Sequence, residues 1–228
     1  SVDMTGVDPR RFGVVSKKFA KLKNEEAYAH VFIVHYPHEE RPACRPAKAP
    51  PIYDRLDRAG AIWGQRFGWE RPQFFAPAGT PRKDHWSFRR ADWFGIVGDE
   101  VRAMRERVGL MELSSFAKYE VEGPGARAWL DRIVANAVPR EVGRLALCHA
   151  LNRSGSVRSE WTITRLADGL WGERFYLVGP GAAHDYDWDF LVKSVPRDGS
   201  VFLKDVTTQY GVLVLAGPEA RAVLQELA

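Results

Sequence analysis

An eight-residue block occurs twice in this chain. Gly123-Pro-Gly-Ala-Arg-Ala-Trp-Leu130 and Gly217-Pro-Glu-Ala-Arg-Ala-Val-Leu224 agree at six of eight positions. Each block follows a strand-like run: Lys118-Tyr-Glu-Val-Glu122 before the first, Val212-Leu-Val-Leu-Ala216 before the second. Each then carries apolar residues at helical spacing. These are Ala126, Trp129, Leu130 and Ile133 in the first copy, and Ala220, Val223, Leu224 and Leu227 in the second. Gly-Pro closes a strand, and a Pro near the first turn suits a helix start. A strand–Gly-Pro–helix unit used twice implies an α+β domain built from similar halves. The second copy stops at Ala228, inside its own helix, so the domain is expected to be cut short.

Between the copies, period-two and apolar runs predict strands over 145–151, 157–166 and 174–178. A helix is expected near 183–193, carrying Tyr186, Phe190 and Leu191. Val101, Met104 and Val108 mark another helix upstream. The first ~55 residues differ in character. Phe12 to Tyr28 looks helical but polar, and His30 to Tyr36 is a short apolar, β-branched run. Four prolines between 42 and 51 then favour an extended connector, and a boundary is expected near 55. Arg71 to Pro81 reads as a second connector, an ordered arm held down by its aromatics.

Composition narrows the class. Over 228 residues, 45% are hydrophobic and 27% charged, the balance of a globular protein with a sizeable core. The net charge of +4 is modest; only Pro9 to Lys23 is a basic run, with six Lys or Arg and no acid. That run lacks the interleaved aromatics of a base-stacking surface, which argues against nucleic-acid binding. Cys44 and Cys148 form no paired motif and read as free thiols of a reducing compartment. No apolar run approaches the roughly 20 residues of a membrane span, and no secretory signal is visible.

The chemistry centres on Val157 to Leu166. Period two puts Val157, Trp161 and Ile163 on one face, and Arg158, Glu160, Thr162 and Thr164 on the other. Glu160 is thus an acid held on a strand, which fixes a carboxylate better than a loop does. The plain alternative is a solvated strand face. Other candidates are weaker. Gly179-Pro-Gly-Ala-Ala-His184 has two of the three glycines of a dinucleotide turn, but Pro180 lacks an N–H and His184 replaces a small residue. No full GxGxxG occurs, so this chain is not expected to hold FAD or NAD by itself. His30, His35, His38 and Cys44 have awkward spacing for a shared ion, and structural roles are favoured; no metal is expected. Ser114-Ser115 lacks the glycines of a nucleophile elbow.

Several stretches are specific enough to carry a resemblance. They include His35-Tyr-Pro-His-Glu-Glu-Arg-Pro42, Phe67-Gly-Trp-Glu-Arg-Pro72, Ser87-Phe-Arg-Arg90 and Asp92-Trp-Phe94. Further along come Val108 to Gly125, Ala135-Asn136, Asp185-Tyr-Asp-Trp188 and Asp205-Val-Thr207. With these the chain resembles the sarcosine and dimethylglycine dehydrogenase family, whose C-terminal part is similar to the aminomethyltransferase (T-protein) of the glycine cleavage system.

The resemblance implies a T-protein-like folate-binding domain with ferredoxin-like strand/helix repeats, preceded by the end of an FAD-oxidoreductase central region. Residues 1–55 would be that end and its linker; residues 56–228 would be the N-terminal, incomplete part of the folate domain. The implied activity is oxidation of an N-methylated amine at FAD, in a domain missing from this chain. The one-carbon unit then passes to tetrahydrofolate to give 5,10-methylenetetrahydrofolate. By the same resemblance Glu160 is the acid near the folate nitrogens, standing where Asp is usual after the turn Asn152-Arg-Ser-Gly155. Phe116 matches a position packed on folate, Leu147 one where many relatives have Tyr, and Gly179 the strand end bordering the pterin. Asn136-Ala137 stands where T-proteins have Asn-Asp, which leans toward the dehydrogenase branch. Expected partners are folate, an N-methylated amine, and the flavin domain of the same protein or a partner subunit, with no nucleic acid and no membrane. The implied location is cytoplasmic, or the mitochondrial matrix in a eukaryote. The alternative is a non-catalytic folate-binding or scaffold protein.

Overall fold

The computed structural model describes residues 16–227. The described residues divide into two compact units, one of residues 16–109 with 216–227, the other of residues 110–215. The Pro9–Val15 part of the basic run and the start of the expected helix at Phe12 lie outside the described residues.

The first unit begins with α1 (Lys17–Ala29), capped by Ser16, whose hydroxyl accepts from the Phe19 N–H at 3.1 Å. The apolar run after it does not form a strand. Val31, Phe32 and Val34 sit in turn and coil, more than half exposed. After α2 (Tyr53–Arg58), β1 (Ala61–Arg66) and β2 (Trp69–Phe75) pair antiparallel. Phe67 and Gly68, both with positive φ, make the two-residue turn. The expected connector from Arg71 is therefore a strand in its first half. Pro72 is tolerated because, among the described residues, β2 pairs at that position with β1 alone, and the register shifts beside it, between Ile62 and Trp63. Buried Glu70 is held by the Arg45 guanidinium. α3 (Phe94–Glu106) follows, and α6 (Ala220–Leu227) completes the unit.

The second unit holds the main sheet. In chain order it contains β3 (Gly109–Glu112), β4 (Ala117–Glu122), α4 (Ala126–Ile133), β5 (Leu145–Leu151), β6 (Val157–Gly169), β7 (Gly172–Gly179), α5 (His184–Ser194), β8 (Phe202–Asp205) and β9 (Leu213–Ala216). The five-stranded sheet runs β5-β6-β7-β4-β8, every pairing antiparallel. A two-stranded ribbon joins β3 and β9. One sheet face is the core. Trp161 and Ile163 of β6, Phe175 and Leu177 of β7, and Tyr119 and Val121 of β4 lie there against Trp129 and Leu130 of α4 and Leu191 of α5. Burying such aromatic and branched side chains contributes about 1.5–3 kcal/mol each.

Both copies of the repeated block close in the same way. Gly123 and Gly217 have φ of 136° and 126°. A Cβ at Gly123 would stand 2.4 Å from the Ser200 carbonyl oxygen, and one at Gly217 2.5 Å from that of Arg107. Two residues on, the Gly125 N–H donates to Ser200 O and the Glu219 N–H to Arg107 O. The repeat is thus a turn whose glycine makes room for the carbonyl that its third residue binds.

Candidate functional site

The second sheet face, opposite the core, carries the site candidates. On β6 the even-numbered residues Glu160, Thr162 and Thr164 point there, as period two requires. Arg158 departs from the expectation that it shares this face. A bulge between Ala150 and Leu151 leaves Arg158 as the extra residue of β6. Its guanidinium stacks on Tyr186 and Phe190 of α5, 4.5 Å from each ring.

Registers place the other residues. Lys118, Val178, Thr162 and Leu147 form one row across β4, β7, β6 and β5. Phe116 precedes β4, in the turn where its N–H donates to the Leu113 carbonyl at 3.2 Å, and among the described residues it pairs with no strand. Leu147 is half exposed on the edge strand β5. The structure therefore brings Leu147 and Glu160 to one face, and leaves Phe116 just before β4. Tyr176 stands on this face with its ring edge-on to Tyr210, and burial pushes its phenol up to about 12. Gly179 is different: a Cβ there would lie 2.7 Å from Cδ1 of Trp161, on the core side. Its lack of a side chain makes room for Trp161.

Glu160 is not a lone acid. Its Oε2 lies 2.8 Å from Nε2 of His149, directly opposite in the register of β5 and β6. The side chains remain 49% and 37% exposed, so both are reachable from solvent. His149 was missed from the sequence. Counting outward from the Asn152–Gly155 turn, with Leu151 facing Val157, would set Glu160 opposite Cys148. The bulge moves that register by one residue and sets His149 there instead.

Beneath the sheet, Asp187 of α5 is fully buried and accepts from the Ser159 hydroxyl at 2.6 Å and the Trp161 indole N–H at 3.0 Å. Burial pushes its carboxyl above the usual range, and the two hydrogen bonds pull the other way. His184 bridges Asp185 and Asp205, 2.8 Å from each. These groups tie α5 to the sheet.

The turn Gly179-Pro180-Gly181 does not suit a flavin pyrophosphate. A Cβ at Gly181 would meet the Ser115 carbonyl oxygen at 2.1 Å, so the turn packs on protein. Asp185 and Asp187 in the first turn of α5 oppose an anion at that helix end. In the first unit, two cavities of about 450 and 570 Å³ share Asp84 and Trp86 in their linings. None of Phe116, Leu147, Glu160 and Gly179 lines either one.

Comparison with known proteins fits this arrangement. Residues 52–228 match the model described as the GCVT N-terminal domain, and residues 1–49 that described as the FAD dependent oxidoreductase central domain. The chain belongs to the GCVT family. Human mitochondrial dimethylglycine dehydrogenase is 35% identical over 99% of the chain, and human mitochondrial sarcosine dehydrogenase 27% over 99%. Mouse mitochondrial pyruvate dehydrogenase phosphatase regulatory subunit is 32% identical over 97%. The chain spans only about a quarter of these relatives, 26%, 28% and 26% of their lengths. Glycine cleavage system aminomethyltransferase T from Bartonella henselae superposes with a TM-score of 0.60 at 25% identity, covering 79% of this chain and 43% of that one. The repeat leads to an α+β domain of similar halves; the GCVT domain with an FAD-oxidoreductase central segment before it is what the resemblance implies.

Proposed function

We propose that this chain is the folate-binding segment of an FAD- and tetrahydrofolate-dependent N-methylamine oxidoreductase. Residues 1–55 would be the end of the central region, and residues 56–228 the first part of the folate domain. The segment receives a one-carbon unit and passes it to tetrahydrofolate, giving 5,10-methylenetetrahydrofolate. The observation that carries this reading is Glu160, held on a central β-strand within a GCVT domain and reachable from solvent. The mitochondrial dehydrogenases among the relatives support the substrate class and a matrix location in a eukaryote.

The residues suit a folate. Leu147 and Val178 offer apolar surface to a pterin, Phe116 just before β4 is the further wall that the family resemblance implies, and Glu160 offers a carboxylate to its amines. Tetrahydrofolate supplies the two nucleophilic nitrogens that the carbon needs. The chain's own residues orient them, stabilise positive charge on the incoming carbon, and take up protons. The flavin belongs to a separate domain of the same protein or a partner subunit, since the Gly179–Gly181 turn packs against Ser115.

A second reading, a non-catalytic folate-binding or scaffold protein, is favoured by one observation. A relative of comparable identity is named a regulatory subunit. Glu160→Gln in the full-length protein separates the two. The catalytic reading expects methylene transfer to fall on the order of 10²-fold while tetrahydrofolate still binds. Unchanged transfer with binding intact would leave only the binding role.

A further inference from the structure

We infer that His149 is the positioning residue of this site, acting through Glu160 as the second proton acceptor. This rests on the folate-transfer reading above. Three observations carry it. His149 Nε2 is 2.8 Å from Glu160 Oε2 on the neighbouring strand. Both groups are half exposed, on the sheet face that also holds Leu147. The His149 backbone is held although β5 is an edge strand. Ala135 N–H donates to its carbonyl at 2.8 Å, and its own N–H donates to Asn136 Oδ1 at 3.3 Å. Asn136 Nδ2 also donates to the Leu147 carbonyl at 2.9 Å. Ala135 and Asn136 act as a surrogate strand that fixes where the imidazole stands.

The proton balance shows why a pair is useful. Moving a methylene group from an iminium to tetrahydrofolate forms two C–N bonds, to N5 and N10. Both bonds between that carbon and the departing nitrogen break, and both electron pairs stay on that nitrogen. Two N–H protons leave the folate and end on the departing amine, which goes from iminium to ammonium. A lone carboxylate holds one proton at a time. With His149 in the Nδ1–H tautomer, a proton taken by Glu160 moves from Oε2 to Nε2. Glu160 is then ionised again and free for the second, and the imidazolium beside it is stabilised as an ion pair. Other charges on this face have their own partners: Glu120 of β4 accepts from the Tyr210 hydroxyl at 3.2 Å. Lys118 of β4 lies on the same face, but its ammonium is buried and bonded to the Ser114 carbonyl. Arg158 of β6 is turned to the rings of α5.

The test uses His149→Gln and Glu160→Gln in the full-length protein, with three measurements. The first needs no folate: the 15N NMR signal of His149 Nε2 should shift in Glu160→Gln, where an amide replaces the carboxylate it faces. The second is tetrahydrofolate affinity, expected to be unchanged in His149→Gln, since Gln keeps a hydrogen bond to Glu160. The third is the pH profile of single-turnover methylene transfer. His149→Gln should be slower by about 10-fold or more at neutral pH, with a profile that differs from that of the wild type. If Glu160→Gln slows transfer but His149→Gln keeps the wild-type rate and profile, the role of His149 is overturned and the folate reading stands. If neither variant changes transfer while tetrahydrofolate still binds, the roles of Glu160 and His149 in transfer both fail and only the binding role is left; if wild type does not bind tetrahydrofolate, the folate reading itself fails. A His149 ring signal insensitive to Glu160→Gln also overturns the pair.

Discussion

Asp187 shows how much one side chain can hold in the second unit. Its two oxygens satisfy two donors that would otherwise be buried and unpaired, the Ser159 hydroxyl and the Trp161 indole. Asp187→Ala orphans both and is expected to cost about 2–4 kcal/mol in urea unfolding, because each buried unpaired donor costs about 1–3 kcal/mol. Asp187→Asn keeps one acceptor and should cost less. The pH dependence follows from burial. The carboxyl pKa is raised in the folded state above its unfolded value. In the window between the two values the native state binds more protons, so stability falls as pH rises through it and is regained on acidification. Asp187→Asn should flatten that slope, checked by urea midpoints measured across the acid range. None of this was legible in the sequence, where Asp187 is one of several acids in an aromatic helix. The bonds depend on α5 lying under β6, a tertiary fact.

At the level of elements, glycines separate packing from binding. Gly179→Ala would set a methyl group against Trp161, an overpacking expected to cost about 1–3 kcal/mol. The resemblance instead assigns Gly179 to a pterin wall. The two are told apart by measuring both quantities on one variant. The geometry expects a lower thermal midpoint with tetrahydrofolate affinity little changed once folded; a wall role expects the reverse. Gly123→Ala should lower the midpoint as well, since positive φ and the Ser200 carbonyl both oppose a side chain, by about 1–3 kcal/mol. Here the sequence was informative. The doubled Gly-Pro block foretold both turns, because the turn is a local property of consecutive residues. The stretch from Arg71 was misread for the converse reason. Its prolines and aromatics suggest a connector, while β1 supplies a hydrogen-bonding partner that local composition does not reveal.

For the whole molecule, the expected behaviour follows from what each unit contains. With no full GxGxxG and a Gly179–Gly181 turn packed on protein, this polypeptide alone should not oxidise sarcosine or dimethylglycine. The check is anaerobic mixing with FAD and amine: no bleaching of flavin absorbance is expected, and bleaching would refute the proposed division of labour. The repeat, the alternation along 157–166 and the motifs from His35 to Thr207 were enough to determine fold class, family and the strand that bears Glu160. Those features depend on neighbours in the chain, so reading along it recovers them. Only the tertiary structure decided that His149 faces Glu160, that Arg158 leaves their face for α5, and that Gly179 serves Trp161. Each follows from pairing and packing between segments distant in sequence. A single bulge in one hairpin shifts the register of every residue beyond it, and nothing in the local pattern announces that shift.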